Sequence, residues 1–590
     1  MKVGLEIHQR LNTGKLFCRC PSNSSGIVAG QISRRLHAVK SEMGAKDVAA
    51  VTEEMKQANF TYVLTDNSCL VEADEEPPHD PDMTALKIAL AVAQHMHMSL
   101  VDQIFFMRKI VIDGSNTSGF QRTSMVGQGG YIESTGGRIG IEGIFLEEES
   151  AGIIEEKGSS RFSFDRLGIP LIEIATAPDI KDGKQAREVA EKIGMMLRMT
   201  GMAARGIGTI RQDLNISADG GTRCEIKGVQ ELDDIPLIVE KEVQRQERLL
   251  ELIKSINPED KPNIEKLEYV DVTGEFRNGK GFIKKAIDGG AKAIGILLPG
   301  LKGLLGYELY ENRRYGTELA DYARVFGFGG MIHGDEDFEK YGVDKSAVEA
   351  KMKAGLRCSY AILIGDFDEK MRLAFKSIVE RAYMKKIPAE TRKALKNGES
   401  QYMRPMPTGA RMYPETDVEP ILITPGLLNE AKKFAPRNPD DVLRELEKQT
   451  NKELAVQLLH STYLGAYEKA VGMGIDPKVA AVTFVSTLKT IAREGLPAYN
   501  IDPDKVIEVL KKYAEGKITK KAVEEVLREL SKNPSADSES IIESRGLKRI
   551  SGEALKELVR REGANVQNIL AKYRLNIEAE ELFKMVGKNG

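Results

Sequence analysis

KVGLEIHQRL, residues 2–11, reads as a β-strand with two unlike faces. Val3, Leu5 and Ile7 alternate onto one face; Gly4, Glu6, His8 and Arg10 share the other. A carboxylate and an imidazole two residues apart on one strand face are placed to share a metal ion. A half-exposed strand with ordinary polar residues has the same pattern, so the reading depends on what the neighbouring strands offer.

Three further stretches supply that company. RIGIEGIFLEEES (138–150) ends in adjacent glutamates, and Glu147 and Glu148 must point to opposite faces of a strand. IPLIEIATAP (169–178) sets Glu173 among Leu171, Ile172 and Ile174. An ionised carboxylate in so apolar a run is costly unless it is paired, with Arg166 as one candidate partner, or bound to a cation. IRQDLNIS-ADGG-TRCEIKG (210–228) reads as a hairpin turning at Asp219, Gly220 and Gly221. Arg211, Asp213, Asn215 and Ser217 share a face of its first strand; Arg223, Glu225 and Lys227 share one on its return strand. Oxygen ligands beside fixed cations are the mixture that phosphoryl transfer needs. A solvated sheet face laced with ion pairs is the plainer reading of the same residues.

Outward from these strands, helical spacing of Val189, Ile193, Met196 and Leu197 predicts a helix over 186–200, stopped by Gly201. A second helix is expected over 234–253, with Pro236 in its first turn. The fold class expected is α+β and multidomain. Residues 1–268 and 386–426 form a mixed α/β, largely antiparallel cradle interrupted by an inserted α/β unit at 269–385. Two helical modules follow, at 427–516 and 517–590, with Thr519 as a cap ahead of Val523, Val526, Leu527 and Leu530. GEFRNGKG (274–281) matches a phosphate-binding loop up to its lysine, but Gly281 stands where Ser or Thr must hold the metal, so it is set aside. His95 and His97, two apart on a helix, do not share a face and are read as structural.

The bulk numbers agree with this division. A chain of 590 residues exceeds the roughly 250–300 that one core supports. No apolar stretch approaches the roughly 20 residues that cross a bilayer, and charge arrives early at the N-terminus, so a cytoplasmic protein is expected. Five cysteines form no disulfide framework, and the C-x-C of Cys18 and Cys20 lacks a second pair for zinc; small buried thiols are expected. Net charge is −3, with 15 Lys/Arg against 12 Asp/Glu from Lys517 onward, which permits a phosphate-rich partner without requiring one.

Several long motifs now stand in one order: GLEIHQRLNTGKLFC (4–18), FMRKIVIDGSNTSGFQRT (106–123), FLEEESAG (145–152), DRLGIPLIEIATAPDI (165–180) and IRQDLNISADGGTRCEIKGVQEL (210–232). Together they resemble the B/E subunit family of tRNA-dependent amidotransferases. LPGLKGLLGYELYENRRYGTELADYARVFGFGGMIHGDE (298–336) is similar to the domain inserted in bacterial-type aspartyl-tRNA synthetases, which marks the family's archaeal E branch. RMYPETD (411–417) resembles the segment closing the family's main domain, and the last module resembles its YqeY-like tail, shortened here.

The resemblance implies a chemistry. ATP phosphorylates the side-chain carboxylate of glutamate esterified to tRNA(Gln), and ammonia from an asparaginase-like glutaminase (the D-type subunit) displaces the phosphate. It implies metal ligands at Glu6, His8, Glu148 and Glu173, and nucleotide contacts at Arg211, Asp213, Asn215 and Lys227, with Mg²⁺ and ATP as cofactors. It implies a heterodimer or heterotetramer in the cytoplasm, acting on tRNA and not on DNA or membranes. Glu149 and Ser150 depart from the family's usual Asp and Ala. The alternatives are a non-catalytic tRNA-binding scaffold of the same complex and an aspartyl-tRNA synthetase relative, which only the insertion supports.

Overall fold

A computed structural model describes the chain except residues 43, 56–57, 156–159, 205, 207, 564 and 587–590. It divides into two compact units, Met1–Pro436 and Arg437–Gly590.

The first unit is built on a 12-stranded sheet. Its path runs Ser400–Pro405, Glu390–Ala394, Cys224–Val229, Ile210–Ser217, Lys2–Arg10, Pro170–Thr176, Gly137–Glu148, Phe120–Gln128, Met107–Ile110 and Met412–Pro414. Neighbours pair antiparallel, except Cys224–Val229 with Glu390–Ala394, which are parallel. Residues beyond 385 thus return to both ends of the sheet.

The apolar face of this sheet is covered. Val3, Leu5, Ile7, Ile172, Ile174, Leu214 and Ile216 are buried against helices Met83–His95, Gly183–Met199 and Ile235–Ile253. The helix expected at 186 begins at Gly183 because the Asp182 carboxylate accepts from the Gln185 N–H at 2.8 Å and caps the first turn. It ends where expected, with Gly201 left-handed at φ 74°. The hairpin pairs Leu214 with Ile226 and Asn215 with Glu225, and Gly220 takes φ 76° at its turn.

Residues 270–365 add a second sheet, ordered Val270–Asp271, Lys292–Pro299, Cys358–Gly365 and Ile332–His333. Its core is not closed on itself. Leu249, Leu252 and Ile256, at and just past the end of the long helix, pack with Ile294, Ile296, Phe375 and Ile378. At the same join, the fully buried Glu318 accepts from Arg245 at 2.6 Å, Arg313 at 2.5 Å, Arg381 at 2.9 Å and Arg392 at 3.0 Å. Glu242 and Glu390 complete the cluster on Arg245 and Arg392.

The helix Pro425–Ala431 lies in the first unit, where Leu427, Leu428 and Ala431 pack into the main core. The second unit is helical. Thr519 caps Lys520–Lys532 by accepting from Ala522, and Val523, Val526, Leu527 and Leu530 are buried as the spacing predicts. The segments on either side of residue 516 pack together, with Lys505 Nζ donating to the Pro534 and Ala536 carbonyls. Among the described residues, no helix is long and apolar enough to cross a membrane.

Candidate functional site

The face of the large sheet opposite the covered core gathers the polar and charged side chains. Register sets Glu6 against Asp213 on one neighbouring strand, and His8 against Arg211 on one side and Glu173 on the other. Ligand atoms of Glu6, His8 and Glu173 all lie within 4.8 Å of one another; so do those of Glu6, Asp213 and Glu225. His8 Nε2 is 3.2 Å from Glu173 Oε2, while its buried Nδ1 has no hydrogen-bond partner among the described residues. Asn215 donates to Glu6 at 2.9 Å. Lys227 bridges Asp213 at 2.8 Å and Glu225 at 2.5 Å.

Electrostatics divide these groups. Burial, then the fields of Glu173 and Glu225, push the Glu6 carboxyl up to about 7. Burial opposes ionisation of Glu173, but Lys109 and His8 outweigh it and hold that carboxyl well below the usual range. Asp213 is likewise held down to about 2, where Lys227, His8 and Arg211 overcome burial. Of two crowded carboxylates, one keeps its charge and the other cannot until more positive charge arrives. Hard oxygen donors, one imidazole and surplus negative charge fit a divalent cation such as Mg²⁺.

Glu148, expected among the ligands, does not join them. Phe145 pairs with Glu173, so alternation turns Glu147 toward the open face and Glu148 away from it. Glu148 instead accepts from the Arg122 N–H at 2.8 Å, and Arg122 also holds the buried Glu415 at 2.7 Å. Glu147 reaches the cluster through Lys109, which is 2.5 Å from Glu147 and 3.8 Å from Glu173. Arg166 is not the partner of Glu173; it donates to the Ser150 and Ala151 carbonyls. Lys109 lies 64 positions from Glu173, and no local spacing in the sequence points to their meeting.

A second gathering escapes local spacing for the same reason. Cys18, Cys20, Cys69 and Glu72 bring four ligand atoms within 4.8 Å of one another. The C-x-C pair thus finds its partners in a third cysteine and a carboxylate from about fifty residues away. Three sulfurs and one oxygen make a donor set that suits zinc. Cys18 donates to Glu72 at 2.9 Å, and burial and Glu72 push its thiol well up.

The model of the GatB/GatE catalytic domain matches residues 1–429, and that of the GatB domain matches 466–587. The E subunit of glutamyl-tRNA(Gln) amidotransferase from Sulfurisphaera tokodaii is 44% identical over 562 residues, covering 92% of this chain and 88% of its own. Its namesake from Methanocaldococcus jannaschii is 42% identical over 605 residues, covering 100% and 94%. That from Pyrococcus abyssi is 42% identical over 573 residues, covering 95% and 89%. With its catalytic-domain match spanning the whole acidic face and its relatives aligned nearly end to end, the chain belongs to the GatB/GatE family, on the branch that holds the E subunits of glutamyl-tRNA(Gln) amidotransferase.

Proposed function

We propose that this chain is the tRNA-binding, ATP-using component of a glutamyl-tRNA(Gln) amidotransferase, and that its open sheet face activates the glutamyl carboxylate. A carboxylate is a poor electrophile. Transfer of the γ-phosphoryl group of ATP to the glutamyl side-chain oxygen gives an acyl phosphate and ADP. Ammonia then attacks the acyl carbon and phosphate leaves, giving Gln-tRNA(Gln). Glu6, His8 and Glu173, with Asp213 and Glu225 adjoining, would hold Mg²⁺, which neutralises charge on the transferring phosphoryl group. Arg211 and Lys227 bring positive charge to the phosphates, Asp213 orients Lys227, and Asn215 orients Glu6. Glu148 has no part in this reading, and Glu147 takes its place beside Lys109.

The observation that carries the proposal is the meeting of Glu6, His8 and Glu173 beside Arg211 on one face. An asparaginase-like glutaminase, the D-type partner, supplies ammonia in a heterodimer or heterotetramer, and the complex works in the cytoplasm. Residues 269–385 are an aspartyl-tRNA synthetase-like insertion, and 517–590 a YqeY-like tail that contacts the tRNA. In the reconstituted complex, Glu173→Ala abolishes ATP-dependent formation of Gln-tRNA(Gln) while glutaminase turnover and tRNA binding persist. Full transamidation by that variant would leave only the scaffold reading.

A further inference from the structure

We propose that a cavity at the free edge of the smaller sheet is a nucleobase pocket, in which His333 and Glu336 read the polar edge of the ring and Phe282 stacks on its face. The cavity measures about 480 Å³, within the roughly 300–1,000 Å³ that small-molecule sites occupy, and it shares no residue with the acidic face of the large sheet. Ile332–His333 is the end strand of its sheet, and Ile362 and Ile364 of the neighbouring strand give the cavity an apolar lining. Helix Gly281–Asp288 contributes Phe282, and helix Tyr315–Arg324 contributes Gly316, Ala320 and Arg324, each about one turn from the next. Gly316 and Ala320 keep the space open. A Cβ at Gly316 would lie 2.2 Å from His333 Nε2, so glycine is what lets that ring stand in the wall.

The polar groups leave one donor and one acceptor side by side. His333 is 5% exposed, and the Asp335 N–H donates to its Nδ1 at 3.3 Å. Burial holds the ring neutral, so its hydrogen sits on Nε2. Glu336 accepts from Lys340 at 2.7 Å and from the Tyr341 hydroxyl at 2.5 Å, both on Oε2. Its Oε1 stands 3.4 Å from His333 Nε2, a loose contact that a ligand can bridge. A donor and an acceptor this close match an acceptor and a donor on one planar edge, as every nucleobase carries. Charge points the same way. Lys340 balances Glu336, and Asp321 balances Arg324 at 2.5 Å, so the cavity favours a neutral body over an ion. Phe282 is 64% exposed, and a bare aromatic face beside a cavity is what a base covers by stacking. A side-chain amide offers the same donor and acceptor but has no flat face to cover Phe282.

Calorimetric titration of the full-length chain with adenosine, guanosine, cytidine and uridine, with ribose as the base-free control, tests the pocket. Saturable binding of at least one nucleoside, and none of ribose, is expected. Phe282→Ala, at an exposed position that the fold tolerates, should weaken binding roughly five- to hundred-fold. Glu336→Gln should weaken it roughly tenfold. Leu356→Ala, which removes another exposed apolar side chain, should leave it unchanged. The same titration in saturating unacylated tRNA separates two sources of the ring. Nucleoside binding lost to the tRNA gives the pocket to a base of the RNA, and binding that persists gives it to a free nucleoside or nucleotide. Absence of binding at millimolar nucleoside overturns the pocket. So does binding at full strength in both Phe282→Ala and Glu336→Gln, which would place the nucleoside elsewhere on the chain.

Discussion

Replacing Glu318 with Gln removes one negative charge from a place where four arginines converge. Glu318, Arg245 and Arg392 are all fully buried, and the carboxylate takes hydrogen bonds from Arg245, Arg313, Arg381 and Arg392. The isosteric amide keeps the volume but leaves buried guanidiniums under-compensated. Breaking a buried ion pair from one side costs about 3–5 kcal/mol. With an unfolding entropy of about 2.1 cal/mol/K per residue over the 436 residues of the first unit, about 4 kcal/mol lowers its melting temperature by about 4 °C. Arg324→Gln, whose partly exposed side chain pairs with Asp321 at the rim of the same cluster, should move it by less than about 1 °C. Differential scanning calorimetry reads both. Hydrogen exchange should quicken first in Lys292–Pro299 and Cys358–Gly365, because the cluster sits where the 270–365 sheet joins the long helix. A Glu318→Gln protein that melts within about 1 °C of the parent would refute the claim that these charges hold the join.

Other outcomes follow from the same geometry. Glu147→Gln should lower transamidation by the reconstituted complex, because Lys109 loses its closest partner beside Glu173; Glu148→Gln should keep activity and lose about 1–3 kcal/mol of stability in urea titration, since Arg122 loses a buried acceptor. Lys227→Met strips the cation from Asp213 and Glu225 and should cut kcat/KM for ATP roughly ten- to hundred-fold in steady-state assays. Glu318 and Glu242 are held below the ordinary glutamate value of 4.5, because their arginines outweigh burial. The unfolded chain therefore protonates these groups first, so their contribution is full above about pH 4.5 and is lost as pH falls below it. Urea midpoints should drop between about pH 5 and pH 3, with a shallower slope in Glu318→Gln.

Much of the site was legible because period-2 alternation is local. KVGLEIHQRL put Glu6 and His8 on one face, and the hairpin put Arg211, Asp213 and Asn215 on one face, and the pairing register then set those faces together. Glu173 stood out because an apolar run cannot hold a bare carboxylate. What alternation cannot supply is the register between distant strands. Glu147 and Glu148 must diverge, but only the pairing of Phe145 with Glu173 decides which one looks outward. Lys109, the Cys69–Glu72 pair and the Glu318 cluster are assembled by contacts between segments far apart in the chain, and no spacing within a strand or helix announces them.

Titration with Mn²⁺, followed by electron paramagnetic resonance and by anomalous scattering from soaked crystals, tests the central claim most directly. A manganese ion ligated by Glu6, His8 and Glu173, lost in Glu173→Gln and retained in Glu148→Gln, is the predicted result. A face that stays empty at millimolar Mn²⁺, with Glu173 still clasped by His8 and Lys109, would contradict it.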